Sequence, residues 1–161
     1  MSSNRKWIFI RGLARHSGHW GPFLTDFKTT FPQDEIELLD LRGNGVMAHS
    51  PSCLSIEENV RDLRSRSQFM KAGHQVNLMT ISLGSMVGVE WARLFPEEIE
   101  HLVTVNTSDK GSSKLYERMR PQNLKALVKI LSNSKSNPLV ETQILQMTTN
   151  GKLDGPEEWA K

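Results

Sequence analysis

The residues best suited to chemistry lie in the run Gln75-Val76-Asn77-Leu78-Met79-Thr80-Ile81-Ser82-Leu83-Gly84-Ser85-Met86. A short apolar strand leads straight into a serine between small residues, and a helix follows. That is the layout of a nucleophile elbow, in which the serine sits on a tight strand-to-helix turn with its hydroxyl pushed out above a sheet. So sharp a turn has few structural uses and one common chemical use. A serine hydroxyl is a poor nucleophile until a base takes its proton. The five histidines are His16, His19, His49, His74 and His101, and none follows His101. In a parallel sheet the reacting groups gather at the carboxyl ends of the strands. His74 precedes its strand and His101 opens its own, so both belong to the opposite edge. His16, His19 and His49 follow strands and can share a rim with Ser82; each reads more readily as a loop histidine at the surface than as a base.

The elements that must position Ser82 are legible in the pattern. Trp7 to Ile10 is a continuous apolar run, as in a strand buried on both faces. Trp20 to Phe31 reads as a helix, with Phe23, Leu24, Phe27 and Phe31 at helical spacing and Pro32 as a stop. Ile36 to Leu41 is a second strand, ending in a glycine-rich turn. Ser55-Ile56-Glu57-Glu58 is a capping box that opens a helix running to about Lys71, closed by Gly73. Gln75 to Thr80 is the third strand and Gly84 to Phe95 the next helix. His101 to Asn106 is the fourth strand. Strands alternating with helices predict an α/β fold, a parallel sheet with helices on both faces.

After Asp109 three helix starts follow, each with proline at its first position: Pro121, Pro138 and Pro156. The third has barely completed one turn at Lys161. The lysines and arginines from Lys110 to Lys135 read as a solvated face.

At 161 residues the chain is one domain by size and long enough to bury a core without staples. Twenty basic and 18 acidic residues leave a net charge of +2, too small to argue for nucleic acid or an anionic membrane. Cys53 is the single cysteine, so no intramolecular disulfide forms, and it reads as a half-buried small residue rather than a reactive thiol. The apolar run after the basic N-terminus is too short for a signal-peptide core, and no stretch nears the ~20 residues of a membrane helix. A cytoplasmic protein is the expectation. No histidine or acid pair has metal-ligand spacing, and Gly43-Asn44-Gly45 lacks the lysine and serine of a phosphate loop. No cofactor is expected.

The order of these features resembles the α/β-hydrolase superfamily, and more narrowly its small serine ester hydrolases with lids. Trp7-Ile8-Phe9-Ile10-Arg11-Gly12 looks like the strand that ends in the family's His-Gly. Asp40-Leu41-Arg42-Gly43-Asn44-Gly45 looks like its Asp-x-Arg-Gly-x-Gly turn. Thr80-Ile81-Ser82-Leu83-Gly84 stands where the G-x-S-x-G elbow belongs. Phe95-Pro96-Glu97-Glu98-Ile99 and Leu102-Val103-Thr104-Val105-Asn106 look like the following helix end and strand. The resemblance implies residues 1–110 as the N-terminal part of a hydrolase core and 111–161 as part of a helical lid.

It also implies roles. Ser82 attacks an ester carbonyl and forms an acyl-enzyme. The backbone N–H groups of Leu13 and Leu83 form the oxyanion hole. Gly12 and Gly84 serve close approach. Asp109 stands where some members carry the acid, and reads equally as a turn residue. Three residues depart from the pattern. Arg11 replaces the usual histidine. Thr80 replaces the first elbow glycine, where a β-branched residue is expected to strain or open the turn. Ser85 replaces the second glycine of a Gly-Gly pair.

The family's acid and histidine would both lie beyond Lys161. The chain is therefore expected to be the N-terminal part of a longer serine hydrolase, inactive alone and prone to self-association through the open edge of its fourth strand. A monodisperse monomer that hydrolyses a short-chain ester, and loses that activity in Ser82→Ala, would refute this. The expected partner is a small-molecule ester. Two further readings stay open: a lyase, C–C hydrolase or haloperoxidase-like chemistry on the same fold, and a catalytically inactive relative that binds a ligand or a protein partner.

Overall fold

A computed structural model of the chain describes residues 4–13 and 15–107. Four strands form one sheet: β1 (Lys6–Ile10), β2 (Glu35–Leu39), β3 (Val76–Ile81) and β4 (Ile99–Val105). All pair in parallel, in the order β2-β1-β3-β4. The helices are α1 (Pro22–Thr30), α2 (Ile56–Arg66), α3 (Gln68–Lys71) and α4 (Leu83–Leu94), with short 3₁₀ turns at Ser17–Trp20, Gly45–Met47 and Pro96–Glu98. The expected α/β sheet is present. The expected lid segment 111–161, the three helices expected from its prolines, and Asp109 lie outside the described residues.

β1 lies between β2 and β3, and its apolar run is divided between two cores. Trp7 and Phe9 meet Trp20 and Phe27 on the α1 side. Ile8 and Ile10 meet Val60 and Leu63 of α2 and Val87 and Trp91 of α4 on the other. A strand covered on both faces must be apolar at every position. Each large side chain fully buried this way is worth about 1.5–3 kcal/mol. The α1 core is ring on ring, with Phe9 4.8 Å from Trp20 and 5.2 Å from Phe27 between centroids. β4 has one strand neighbour among the described residues.

Two elements differ from the sequence pattern. The single helix expected from Ser55 to about Lys71 is broken at Ser67, whose backbone is extended at φ −61°, ψ 130°. Its buried hydroxyl accepts from the Met70 N–H at 3.2 Å and donates to Glu37 of β2 at 2.5 Å. A strand carboxylate thus starts a new helix where the periodicity alone would continue the old one. The capping box is also shifted. Ser55 Oγ accepts from the Glu58 N–H at 3.0 Å, but Glu58 Oε2 accepts from the N–H of Leu54, not of Ser55, at 2.7 Å.

Candidate active site

Ser82 is the residue between β3 and α4, with φ 57° and ψ −120°. This is a backbone conformation that side chains other than glycine rarely adopt, at a cost of about 1–3 kcal/mol. Two contacts with the end of β4 hold it. The Ser82 N–H donates to the Val105 carbonyl at 2.9 Å. The buried Ser85 hydroxyl donates to the same carbonyl at 3.3 Å. The Ser82 carbonyl then accepts from Ser85 and Met86 N–H at 2.9 and 3.3 Å, which opens α4. Serine at position 85 is therefore a tie across the turn.

Two glycines let the backbones meet. A Cβ on Gly84 would lie 2.6 Å from the Ile10 carbonyl oxygen and 2.7 Å from that of Arg11. A Cβ on Gly12 would lie 2.9 Å from Ser82 Cβ and 3.3 Å from its Oγ. The segment after β1 thus lies directly against the elbow. Leu13 follows in a turn closed by the Arg15 N–H on the Gly12 carbonyl at 3.2 Å, and its side chain is exposed. Leu83 is the first residue of α4, where N–H groups have no partner within the helix.

The sequence pattern predicts that Thr80 strains or opens the turn. Instead its side chain is buried against α4 where that helix carries Gly88, whose Cβ position lies 3.0 Å from Thr80 Cγ2. The Thr80 hydroxyl donates to the Val103 carbonyl at 2.8 Å. The volume added at position 80 is accommodated by the glycine at position 88, and the added polar group has a partner.

The loops that follow β1 and β2 are joined by Asp40, a buried carboxylate. Oδ1 accepts from the Ser17 N–H at 2.6 Å and Oδ2 from the Val46 N–H at 3.2 Å. Gly45, at φ 50°, leaves room for it, since a Cβ there would lie 2.1 Å from Oδ2 and 2.4 Å from His16 Cβ. The sequence pattern singled out this turn without the function of its aspartate.

Two of the three histidines that read as candidate bases, His16 and His19, are engaged as caps. His16 Nδ1 accepts from the Gly18 N–H at 3.1 Å, and His19 Nδ1 accepts from the His16 N–H at 3.1 Å. Each bond assigns the ring proton to Nε2, which leaves no free lone pair on a neutral ring to take a proton from serine. Both rings cap the 3₁₀ turn and lie 4.0 Å apart. His49 and His74 are exposed. His101 Nδ1 lies 2.8 Å from Asn77 Oδ1, at the starting end of the strands, opposite Ser82. Among the described residues no cluster of three or more metal-ligating side chains occurs, and no helix is long and apolar enough to cross a membrane. Burial, then the Asp62 carboxylate, pushes the Cys53 thiol up from its ordinary value, so it is not activated.

Arg11 lies at the end of β1 beside this turn. Its guanidinium carbon is 5.0 Å from the centre of the Trp20 ring, a cation–π contact of about 0.5–2 kcal/mol. Arg11 Nε and Trp20 Nε1 are both buried without a hydrogen-bond partner among the described residues. Burial, and then the neighbouring Arg15 cation, hold the Arg11 guanidinium below its ordinary value.

The sequence matches no protein-family model and no curated protein. Solved structures do match. An extracellular α/β-hydrolase from a Paenibacillus species is 13% identical, with a TM-score of 0.61 over 81% of this chain and 52% of that one. A monoacylglycerol lipase from Paleococcus ferrophilus is 21% identical, with a TM-score of 0.54 over 81% of this chain and 47% of its own. An N-formylmaleamic acid deformylase from Pseudomonas putida is 14% identical, with a TM-score of 0.62 over 99% of this chain and 57% of its own. The chain thus spans about half the length of the structures it matches. With its strand order, parallel sheet and turn at Ser82, it has the α/β-hydrolase fold over that part.

Proposed function

We propose that Ser82 is the nucleophile of a carboxylic-ester hydrolase. The observation that carries this reading is the backbone of Ser82 itself, a non-glycine residue at φ 57°, ψ −120° at the mouth of a parallel sheet. Strain of this kind is retained where the surrounding structure holds a reactive group in place. Ser82 Oγ adds to the ester carbonyl, and the proton it loses passes through a base to the departing alcohol. Water then adds to the acyl-serine and releases the acid, restoring the hydroxyl. Negative charge on the carbonyl oxygen is met by the N–H groups of Leu13 and Leu83, held by backbone contacts and needing no rearrangement. We assign the base and its acid partner to a part of the protein outside the described residues. A single cysteine fits a cytoplasmic setting.

The test is labelling with a fluorophosphonate, read by mass spectrometry, on the longest product of the gene that contains this chain. One adduct on Ser82, absent from Ser82→Ala, supports the proposal. A folded protein with no adduct supports the second reading, an inactive relative that binds a ligand or partner through the same rim. That reading has its own observation in Arg11, which stands where the resemblance has histidine.

A further inference from the structure

We propose that Arg11, stacked on Trp20 beside the elbow, is an oxyanion-recognising residue, and that the ester taken at Ser82 carries an ionised carboxylate besides its reacting carbonyl. This deepens the hydrolase reading and rests on it for the word ester; the recognition of an anion rests on Arg11 and Trp20 alone.

The first ground is position. The Arg11 carbonyl touches the Cβ position of Gly84, and the next residue, Gly12, touches Ser82. The second is an excess of donors. Trp20 is 5% exposed, yet its Nε1–H has no acceptor among the described residues, and neither has Arg11 Nε. Buried donors are nearly always satisfied, so two orphans side by side call for an acceptor from outside. The third is uncompensated charge. The ion pairs among the described residues use Arg5, Lys6, Arg42, Arg61, Arg64, Arg66 and Arg93, and Arg11 is in none of them. Asp40, the buried carboxylate joining the nearby loops, has both oxygens committed to the N–H groups of Ser17 and Val46. A half-buried cation without a carboxylate among the described residues is costly unless an anion joins it. A guanidinium with a ring over its face still offers its planar edge, which matches a carboxylate through two parallel hydrogen bonds.

The experiment is a titration of the full 161-residue chain followed by nitrogen-15 NMR. The probes are the Trp20 indole N–H, assigned by Trp20→Phe, and the Arg11 Nε–H, assigned by Arg11→Lys. Monomethyl succinate carries an ester and a carboxylate, dimethyl succinate only esters, and inorganic phosphate only the competing oxyanion. The Ser82→Ala background prevents turnover. The expected result is a saturable shift of both signals with monomethyl succinate and none with dimethyl succinate. Arg11→Gln should weaken binding about tenfold or more, the loss of one charge-assisted pair. Arg11→Lys, which keeps the charge but not the fork, should weaken it less. Circular dichroism identifies any variant that fails to fold, and the lysine variant then carries the comparison. Equal shifts with the neutral diester, or binding unchanged in both Arg11 variants, would overturn the proposal. Saturable binding of phosphate but not of the succinate ester would overturn its carboxylate part. Fluorophosphonate labelling without anion binding defeats this inference alone; anion binding without labelling defeats the hydrolase reading alone.

Discussion

Gly84→Ala tests whether the elbow is built by backbone meeting backbone. The added Cβ would lie 2.6 Å from the Ile10 carbonyl oxygen and 2.7 Å from the Arg11 carbonyl oxygen. Ordinary contact begins near 3.4 Å, so α4 must retreat from β1 by about 0.8 Å. No side chain can turn aside to supply that space, because both obstacles are main-chain atoms at the end of β1. Overpacking costs about 1–3 kcal/mol when side chains can adjust, so the expected loss is about 3 kcal/mol or more. The gain in helix propensity from glycine to alanine returns at most about 1 kcal/mol. Gly88→Ala on the same helix is the control. Its nearest obstacles, at 3.0 Å, are the ends of the Leu102 and Thr80 side chains, and the first of these can swing away. Thr80 must give by a few tenths of an ångström, and the propensity gain should offset part of that strain, for a loss of about 1 kcal/mol, well below that of Gly84→Ala. Urea unfolding followed by far-ultraviolet circular dichroism measures both. Gly84→Ala should lose a large share of the total stability, and Gly88→Ala little. Equal midpoints for Gly84→Ala and the parent chain would refute the packing argument and, with it, the assignment of the Leu83 N–H to a preset hole.

Two further results follow from the same structure. Ser82→Gly should be more stable than Ser82→Ala by about 1–2 kcal/mol, because only glycine relieves a backbone at φ 57°, ψ −120°; equal urea midpoints would mean that the turn stores no strain. Glu98 supplies a pH dependence. Its carboxylate accepts from the guanidinium of Arg64, with the Arg64 Nε contact at 2.8 Å, and from Trp91 Nε1 at 2.8 Å. The Arg64 bond first, and the Trp91 bond against the opposing effect of burial, hold Glu98 below the ordinary value of 4.5. A carboxylate depressed on folding contributes stability above its unfolded value, and that contribution is lost as pH falls through the folded one. Stability should therefore decline on acidification below about pH 4.5, and Glu98→Gln should flatten that decline; parallel pH profiles for the two proteins would count against the assignment.

The elements were legible because each strand and helix here has a strong local period. The all-apolar run Trp7 to Ile10 could be read as doubly covered because no exposed position interrupts it, and the cores at Phe27 and Val60 cover its two faces. The serine turn was readable because small residues crowd around Ser82 in sequence. By itself the sequence determined the alternation of elements, the parallel sheet and the location of the turn, since burial period and glycine position are local properties. Only the tertiary structure decided how the departures are absorbed. Thr80 is paired with Gly88, eight residues away and on another element. Ser67 breaks a helix because Glu37, thirty residues earlier, reaches its hydroxyl. His16 and His19 pass from candidate bases to caps because each Nδ1 meets a backbone N–H. Arg11 reads in the sequence as a lost histidine; the fold sets it on Trp20 with its Nε–H buried and unanswered. Except for the histidine caps, whose partners lie two and three residues away, the deciding partner is brought close by the chain's path through space, and spacing along the chain carries no record of that.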